Sequence, residues 1–316
     1  MKKCLLIIFV GFAGIVSAQQ IALNSQYLFN EMLVNPGAAG SKEYVPVQLS
    51  YRKQWVNFPG SPTTQSLTSH GMISKRMAIG GVLFNDVAGP SRRTGINLNT
   101  AYHLRLDAQD QHQLGFGLGL SLTQHVIDVN QLTTYLPEDP AVLRGYNNQL
   151  VPDANFGIYY HYLDKAYAGI SAHNLVELKR DLYDYQDAFV NPLERNYYLL
   201  AGYNFELGKQ WRIKTSTLAQ MIETTTFQLD GTLLVEFKRA IWLGASYRHD
   251  DAVVFMIGGQ AGPMRFGYAY DYTLSDIGDY SSGSHDVFIE LQISKNKDGT
   301  SRTPWLKRNR IFSPKH

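Results

Sequence analysis

The sequence predicts an all-β protein, a transmembrane antiparallel β-barrel of about 14 strands with a plug-like N-terminal segment. The first observation is an alternation of apolar and polar residues that recurs along nearly the whole chain. The second is the length of the alternating segments, which is close to the ~9–11 residues that a tilted strand needs to cross a bilayer. The third is their even number, which is typical of single-chain bacterial outer-membrane barrels.

The alternating segments follow one another along the chain. In residues 227–237, apolar or small side chains occupy every second position, and Gln228, Asp230 and Glu236 lie between them. Successive side chains of a strand point to opposite faces, so this segment has one apolar and one polar face. The fourteen predicted strands are residues 44–56, 63–74, 77–86, 94–106, 112–125, 152–162, 165–173, 195–207, 210–220, 225–237, 240–249, 251–261, 263–273 and 284–293.

The connections between these segments favour a membrane barrel over a soluble sandwich. A sandwich of fourteen strands would also alternate, but it rarely sustains such long and uniform strands. The three longest connections are residues 126–151, 174–194 and 274–283, and they follow strands five, seven and thirteen. With both chain ends in the periplasm, all three lie on the outer face, and the connections on the inner face are short, as in outer-membrane barrels.

Composition excludes several other classes. The chain of 316 residues is 44% hydrophobic with a formal net charge of +2, which is far from the composition of disordered proteins. Its single cysteine cannot form a disulfide within the chain. After residues 1–16 there is no run of about 18 apolar residues, so a helical membrane protein is not expected.

The two ends of the chain have distinct compositions. Residues 1–18 contain two lysines, an apolar stretch and Val16-Ser17-Ala18, which together predict a signal peptide. A retained anchor is the weaker alternative, and a lipoprotein is weaker still because Cys4 precedes the apolar stretch. Residues 294–316 carry seven basic residues and one acidic residue, and we expect a basic periplasmic tail, either a docking segment or a solvated end. The predicted units are residues 1–18, 19–43 (N-terminal plug segment), 44–293 (barrel) and 294–316.

Charged residues at inward positions predict contacts inside the barrel. Glu206, Arg212 and Glu236 fall on adjacent strands near the inner rim, and we expect an ion-paired layer there. The alternative is that these charges are solvated in a water-filled interior. Ahead of the barrel, residues 25–34 have helical spacing and end at Asn35-Pro36-Gly37. We expect a short helix that enters the barrel mouth as a plug through Tyr27, Phe29, Asn35 and Pro36, and the alternative is a mobile periplasmic leader.

The sequence predicts no catalytic, cofactor-binding or metal-binding residues and no cofactor. Gly115, Gly117 and Gly119 resemble a dinucleotide fingerprint only superficially, and their spacing predicts three small residues on one strand face against a bulky neighbour. The consecutive residues 284–286 (SHD) cannot form a proton relay, because neighbouring strand residues point to opposite faces. Residues 249–251 (HDD), in a hairpin, keep an outer-membrane hydrolase as a third possibility.

Four sequence blocks together resemble the PorP/SprF family of the type IX secretion system. The blocks are residues 25–30 (SQYLFN) with 35–40 (NPGAAG), 51–55 (YRKQW) with 58–65 (FPGSPTTQ), Asp86 and 89–90 (GP) with 101–104 (AYHL), and 267–272 (GYAYDY) with 283–286 (GSHD). The resemblance covers essentially all of residues 19–293. Gly37 departs from it, because alanine is expected there, and so does Ala38, where an aromatic residue is usual.

The resemblance implies an integral barrel in the outer membrane of a Gram-negative bacterium, without enzymatic activity. It implies contact with outer-membrane lipid, with periplasmic secretion-ring proteins, and with an exported adhesin or another secretion substrate, in some members for gliding motility; we expect no nucleic-acid partner. A barrel similar to fatty-acid channels, which would transport hydrophobic small molecules, is the alternative function. The candidate partner contacts lie in the outer loops and are Phe58, Pro59, Gly60, Ser61, Pro62, Tyr135, Tyr146, Tyr183 and Tyr185.

Overall fold

The computed structural model describes residues 25–128, 149–176, 195–222 and 226–294. None of the helices in these residues is long and apolar enough to cross a membrane. The fourteen strands are β1 (Tyr44–Lys53), β2 (Thr63–Met72), β3 (Met77–Ala88), β4 (Ser91–Arg105), β5 (His112–Ile127), β6 (Gln149–Tyr162), β7 (Ala166–His173), β8 (Asn196–Leu207), β9 (Trp211–Ile222), β10 (Thr226–Phe237), β11 (Ile241–Arg248), β12 (Ala252–Ala261), β13 (Met264–Thr273) and β14 (Ser284–Ser294).

The strands form a closed antiparallel barrel in which each strand pairs with its two neighbours in sequence. The first and last strands close the sheet, with a register that runs from Tyr44 opposite Ser294 to Lys53 opposite His285. Closure satisfies the main-chain groups that an open edge would leave unpaired in hydrocarbon. The predicted fold class, a 14-stranded antiparallel barrel, is therefore confirmed.

The outer surface of the barrel carries apolar side chains at every second position. In β10, for example, Phe227 and Leu233 are 63% and 51% exposed, whereas Asp230 and Leu234 on the opposite face are almost fully buried. The same pattern recurs around the sheet, so apolar side chains dominate the outside and the buried charged side chains of the strands face the lumen. An exterior of this kind is stable only in contact with lipid.

The two rims of the barrel differ in their connections. At one rim, here called the short-turn rim, every connection follows an even-numbered strand, and Leu163–Lys165 and Gly262–Pro263 are among the shortest. At the opposite rim, the long-loop rim, the connections follow odd-numbered strands and include residues 54–62 and 274–283. In outer-membrane barrels the long loops face the exterior of the cell.

Residues 25–42, here called the N-terminal segment, lie inside the barrel. The expected short helix over residues 25–34 is wrong: the segment forms three 3₁₀ turns, at Tyr27–Phe29, Glu31–Leu33 and Pro36–Ala38. Asn30 interrupts the first two with an extended φ of −142°, and its side chain donates to Thr68 Oγ1 on the wall at 2.6 Å. Bonds to the barrel thus replace the hydrogen bonds that a continuous helix would make within itself.

Candidate functional site

The lumen near the long-loop rim holds a group of ion pairs around the start of the N-terminal segment. This loop-side cluster consists of Ser25, Arg52, Asp230, Arg248, Asp271 and Asp286, and each residue is at most 4% exposed. The Ser25 hydroxyl donates to Asp271 at 2.7 Å and accepts from Arg52 at 2.6 Å and from Arg248 at 3.1 Å. The Ser25 main-chain N–H donates to Asp286 at 3.0 Å. Charge-assisted bonds from four strands therefore fix this end of the segment.

An apolar cluster fills the middle of the lumen. Its buried members are Tyr27, Leu28, Phe29, Val34, Ala38, Tyr159, Tyr198, Leu200, Leu218, Leu234, Trp242, Val254, Met256, Ala269 and Phe288. The Phe29 ring lies 5.2 Å from the Trp242 ring and 5.1 Å from the Phe288 ring, measured between centroids. Two cations, the Lys214 ammonium and the Arg265 guanidinium, lie 5.6 Å and 5.5 Å from the Phe29 centroid.

Tyr27 links the apolar cluster to the loop-side cluster. Its hydroxyl donates to Asp230 Oδ1 at 3.3 Å and lies 3.3 Å from Thr232 Oγ1. Burial, and then the Asp230 carboxylate, raise the pKa of the Tyr27 phenol above its usual value. The phenol is therefore protonated at physiological pH and serves as a hydrogen-bond donor.

A second charged group, the turn-side cluster, lies near the short-turn rim and consists of Asp164, Arg212, Lys214 and Glu236. Arg212 forms ion pairs with both Asp164 and Glu236, and the Lys214 ammonium lies 3.8 Å from Glu236. Glu206 pairs with Arg239 at 3.0 Å. Of the three residues expected to form one ion-paired layer, Arg212 and Glu236 contact each other, whereas Glu206, half-exposed near the end of β8, contacts the β10–β11 turn instead.

The end of the N-terminal segment is held beside the turn-side cluster. Lys42 forms an ion pair with Glu31 at 2.7 Å. Burial lowers the pKa of the Lys42 ammonium, but the Glu31 carboxylate outweighs this effect and raises it to about 12. The pair closes residues 31–42 of the segment into a loop, with the two paired side chains eleven positions apart in sequence.

The middle of the N-terminal segment contacts a glycine surface on the wall. The Asn35 amide donates to the main-chain carbonyls of Ile158 and Ile170 at 2.9 and 3.0 Å, and the Gly37 N–H donates to Asn35 Oδ1 at 2.8 Å. A Cβ on Gly117 would lie 2.1 Å from the Gly37 nitrogen. The expected bulky neighbour of the glycine row is therefore wrong: Gly117 contacts the main chain at residues 36–37.

The same contact accounts for glycine at position 37. A Cβ there would lie 2.9 Å from the Gly115 carbonyl oxygen and 3.1 Å from that of Gly157. The alanine expected from the family pattern would force the turn away from the wall, because these neighbours are main-chain atoms that cannot rotate aside. Pro36 lies in the same buried 3₁₀ turn.

The loop of residues 54–62 is ordered by both of its neighbours. Val56 exchanges main-chain hydrogen bonds with Ser282 and Gly283, and the Gly89 N–H donates to the Gly60 carbonyl at 2.7 Å. Phe58 is 38% exposed and Ser61 is buried, while Pro59 and Gly60 are exposed and Pro62 is half-buried. Four other candidate contacts, Tyr135, Tyr146, Tyr183 and Tyr185, lie outside the described residues, as do the predicted signal peptide and residues 295–316.

The residues considered for catalysis are separated in the barrel. Ser284 and Asp286 are buried in the lumen, whereas His285 lies outside and contacts the Tyr268 hydroxyl at 2.7 Å. The His249 ring lies 3.2 Å from the Asp250 carboxylate and contacts the Tyr247 ring edge-on, whereas Asp251 pairs with Arg248. Within residues 25–128, 149–176, 195–222 and 226–294, no cluster of three or more His, Cys, Asp or Glu residues could hold a metal ion.

Several residues that hold the N-terminal segment were not found by sequence reasoning. Ser171 and His173 both donate to the Val34 carbonyl, at 2.6 and 2.7 Å, and His103 contacts the Ala39 carbonyl at 2.7 Å. Their inward positions could be read from the alternation. Their contacts with carbonyl groups of the N-terminal segment could not, because that segment lies more than 60 residues away in sequence.

Comparison with solved structures gives other barrels at low identity. The P. putida toluene transporter TodX is 10% identical, with 83% of this chain and 93% of that chain covered and a TM-score of 0.48. The CymD monoaromatic hydrocarbon channel is 12% identical, with coverages of 84% and 92% and a TM-score of 0.49. Omp33 of Acinetobacter baumannii is 8% identical, with coverages of 79% and 98% and a TM-score of 0.45. No argument about function follows from similarity of this extent.

A comparison with proteins of curated function gives no match. The model of the family described as type IX secretion system membrane protein PorP/SprF matches residues 16–291. That range contains every strand of the barrel through most of β14 and the whole N-terminal segment. The protein is accordingly an outer-membrane component associated with secretion, and the chain belongs to the PorP/SprF family.

Proposed function

We propose that the protein is a non-enzymatic scaffold of the type IX secretion system. In this role it supports the secretion or surface attachment of exported proteins such as adhesins, or couples the periplasmic secretion ring to the outer membrane. Membership of the PorP/SprF family links the protein to the secretion system. The filled lumen favours a scaffold over a conduit.

The observation that carries the proposal is the path of the N-terminal segment, which we propose acts as a plug. Ser25 is bonded to β13 and β14, Asn35 to β6 and β7, and the Gly40 N–H to His70 of β2 at 3.0 Å. Contacts with opposite walls, rather than with one strand, are what a fixed obstruction requires. A route for solutes past the segment would have to break the buried loop-side cluster, which holds Ser25.

The two rims of the barrel are the candidate surfaces for partner proteins. At the long-loop rim, Phe58 and the 73%-exposed Tyr280 stand on neighbouring loops that are hydrogen-bonded to each other, and exposed aromatic side chains suit a protein contact. We propose this rim for the exported partner. The opposite rim, with the basic tail of residues 295–316 after it in sequence, is proposed for the periplasmic ring proteins.

The proposal is tested by purifying a tagged barrel from its host in mild detergent and identifying the bound proteins by mass spectrometry. We expect an exported protein and secretion-ring proteins to be recovered with the wild type. The double variant Phe58→Ser, Tyr280→Ser should recover less exported protein and unchanged ring proteins. Ile73→Ser, at a 67%-exposed apolar site on the short-turn rim, is the control and should retain the exported protein.

A second candidate function is transport of hydrophobic small molecules by a barrel similar to fatty-acid channels. It is favoured by a depression of about 710 Å³ in the wall of β8–β11, where the small outward residues Ala201, Gly231 and Ala245 lie between Tyr203 and Tyr247. The charged lumen argues against it. Recovery of the barrel with bound lipid and no protein partner in the same purification would favour transport and contradict the scaffold.

A further inference from the structure

The N-terminal segment begins inside the lumen close to the long-loop rim. Ser25 bonds to Asp271 and Asp286, and its hydroxyl also accepts from Arg52 and Arg248. Each of these four wall residues lies within two positions of the end of its strand at that rim. Because a strand rises about 3.3 Å per residue, the contacts of Ser25 lie within about 7 Å of the strand ends.

The segment ends at the opposite end of the lumen. The Gly40 N–H donates to His70 Nδ1 at 3.0 Å, and the Ala39 carbonyl lies 2.7 Å from His103 Nε2. Both histidines lie two residues before the end of a strand at the short-turn rim. The first strand then begins at this rim with Tyr44. The segment therefore runs the length of the lumen, from the long-loop end to the short-turn end.

The chain ahead of Ser25 has no room to turn back through the lumen. The apolar cluster fills the space between Ser25 and the short-turn rim, and Tyr27, Phe29, Trp242 and Phe288 in it are each at most 3% exposed. A packed interior of this kind leaves no space for a second length of chain. The direction left for the chain ahead of Ser25 is the mouth of the barrel at the long-loop rim.

The chain ahead of Ser25 is also long enough to leave the barrel. With cleavage after Ala18, as the sequence predicts, residues 19–24 precede Ser25 in the mature chain. An extended chain covers about 3.3 Å per residue, so these residues reach about 20 Å. That reach exceeds the distance of about 7 Å between the contacts of Ser25 and the strand ends. Residues 19–24 lie outside the described residues, and Ser25 sets the side on which they emerge.

We propose that the N-terminal segment is threaded through the barrel from the exterior face to the periplasmic face, so that the chain ahead of Ser25 emerges at the long-loop rim and belongs to the surface that meets the exported partner. The assignment of this partner rests on the proposed function. β14 ends at the opposite, short-turn rim. The two ends of the chain thus lie on opposite sides of the membrane, whereas the sequence predicts both in the periplasm.

The strands that hold Ser25 also carry the loops proposed for the exported partner. Asp271 and Asp286 lie on the two strands that flank the loop of Tyr280, and Arg52 lies on the strand that leads into the loop of Phe58. These two loops are hydrogen-bonded to each other. A chain that leaves the lumen beside Ser25 therefore emerges next to both exposed aromatic side chains and extends the same contact surface.

The threading is tested with single-cysteine variants on whole cells of a Gram-negative host that has no type IX secretion system. The chain contains one cysteine, so Cys4→Ser provides a cysteine-free background. In this background, Ala22→Cys should react on intact cells with a maleimide–polyethylene glycol that is too large to cross the outer membrane. Tyr280→Cys, on an exposed loop at the long-loop rim, should react to the same extent. Lys75→Cys, in an exposed turn at the short-turn rim, should react only after the membrane is permeabilised.

Heat-modifiable gel electrophoresis shows that each variant is folded before it is compared. Labelling of Ala22→Cys only after permeabilisation, as for Lys75→Cys, or only after denaturation, would overturn the proposal.

The contact with the exported partner is tested by repeating the labelling in the native host. There the bound partner should slow the labelling of both Ala22→Cys and Tyr280→Cys relative to the host without the secretion system. Slower labelling of Tyr280→Cys alone would overturn the inference and leave the proposed function intact. Unchanged labelling of both variants would contradict the proposed function, and with it the partner contact of the chain ahead of Ser25.

Discussion

The loop-side and turn-side clusters are built from similar residues but differ in their access to solvent. Every member of the loop-side cluster is at most 4% exposed, and its two arginines share Asp271 and the Ser25 hydroxyl. In the turn-side cluster, Arg212 and Glu236 are buried but Asp164 is 45% exposed. An ion pair therefore contributes differently to the unfolding free energy at the two rims, because water screens the turn-side cluster and is excluded from the loop-side cluster.

The two clusters also differ in what they hold together. The loop-side cluster bonds to the N-terminal segment directly, through the Ser25 main chain and hydroxyl. The turn-side cluster mainly joins strands and turns of the barrel to one another, and it contacts the segment through the Lys214 ammonium over the Phe29 ring. Loss of the first should release the start of the N-terminal segment, whereas loss of the second should weaken the barrel near its short turns.

The largest effect is expected from Arg52→Met. It leaves Asp271 and Asp286 close together with less positive charge, and removal of one partner from a buried ion pair costs about 3–5 kcal/mol. The loss of unfolding free energy is measured by denaturant titration of the refolded barrel with tryptophan fluorescence. Arg105→Met is the control, because Arg105 and Asp110 are both more than a third exposed and such a pair contributes only about 0–1 kcal/mol. Equal losses of unfolding free energy in the two variants would contradict the distinction between buried and exposed ion pairs.

A smaller effect is expected from Arg212→Met, roughly 2–3 kcal/mol, because the buried Glu236 keeps Lys214 as a second cation nearby. The temperature of the heat-modifiable gel shift should fall accordingly. Glu206→Ala is the matched control in the neighbouring strand: its exposed pair with Arg239 predicts a change below about 1 kcal/mol and a shift temperature close to that of the wild type. A larger fall for Glu206→Ala than for Arg212→Met would refute this ranking.

The smallest effect is a pH dependence at the turn-side cluster. Burial raises the pKa of the Asp164 carboxyl, but Arg212 and Lys214 outweigh it, so the pKa lies below its usual value of about 3.9. A depressed pKa contributes stability that is present above the unfolded pKa and is lost as pH falls through the folded pKa. Because Asp164 is half-exposed, the contribution is below about 1 kcal/mol.

Asp164→Asn isolates this contribution. The wild type should be more stable than the variant at pH 7 and pH 5, and the difference should vanish towards pH 3 and below. Denaturant midpoints of both proteins at each pH give the measurement. A difference that stays constant over this range would assign the effect of Asp164 to packing rather than to charge.

Much of the barrel wall could be predicted from the sequence. The period of two fixes which side chains of β10 face lipid, so Phe227 and Asp230 are assigned to opposite faces without any knowledge of the strands beside them. The predicted strand ends were less accurate than the predicted strands. β6 begins at Gln149 rather than at residue 152, because pairing with β5 continues beyond the clearly alternating residues.

The contents of the lumen were predictable only in part. The sequence predicts a plug-like segment over residues 19–43 at the barrel mouth, but it does not predict the wall contacts of Ser25, because a serine at the start of a segment has no periodic pattern. Gly117 was assigned a bulky neighbour, and its actual neighbour is the main chain beside Gly37, some 80 residues earlier.

The sequence by itself determined the closed barrel, its lipid-facing rows and its two unequal rims, because these follow from side-chain direction and chain length, which are local properties. Only the tertiary structure decided which inward charges pair and where the N-terminal segment runs. Those outcomes depend on distances of a few ångströms between residues as far apart as Ser25 and Asp286, and closure of the barrel alone sets these distances.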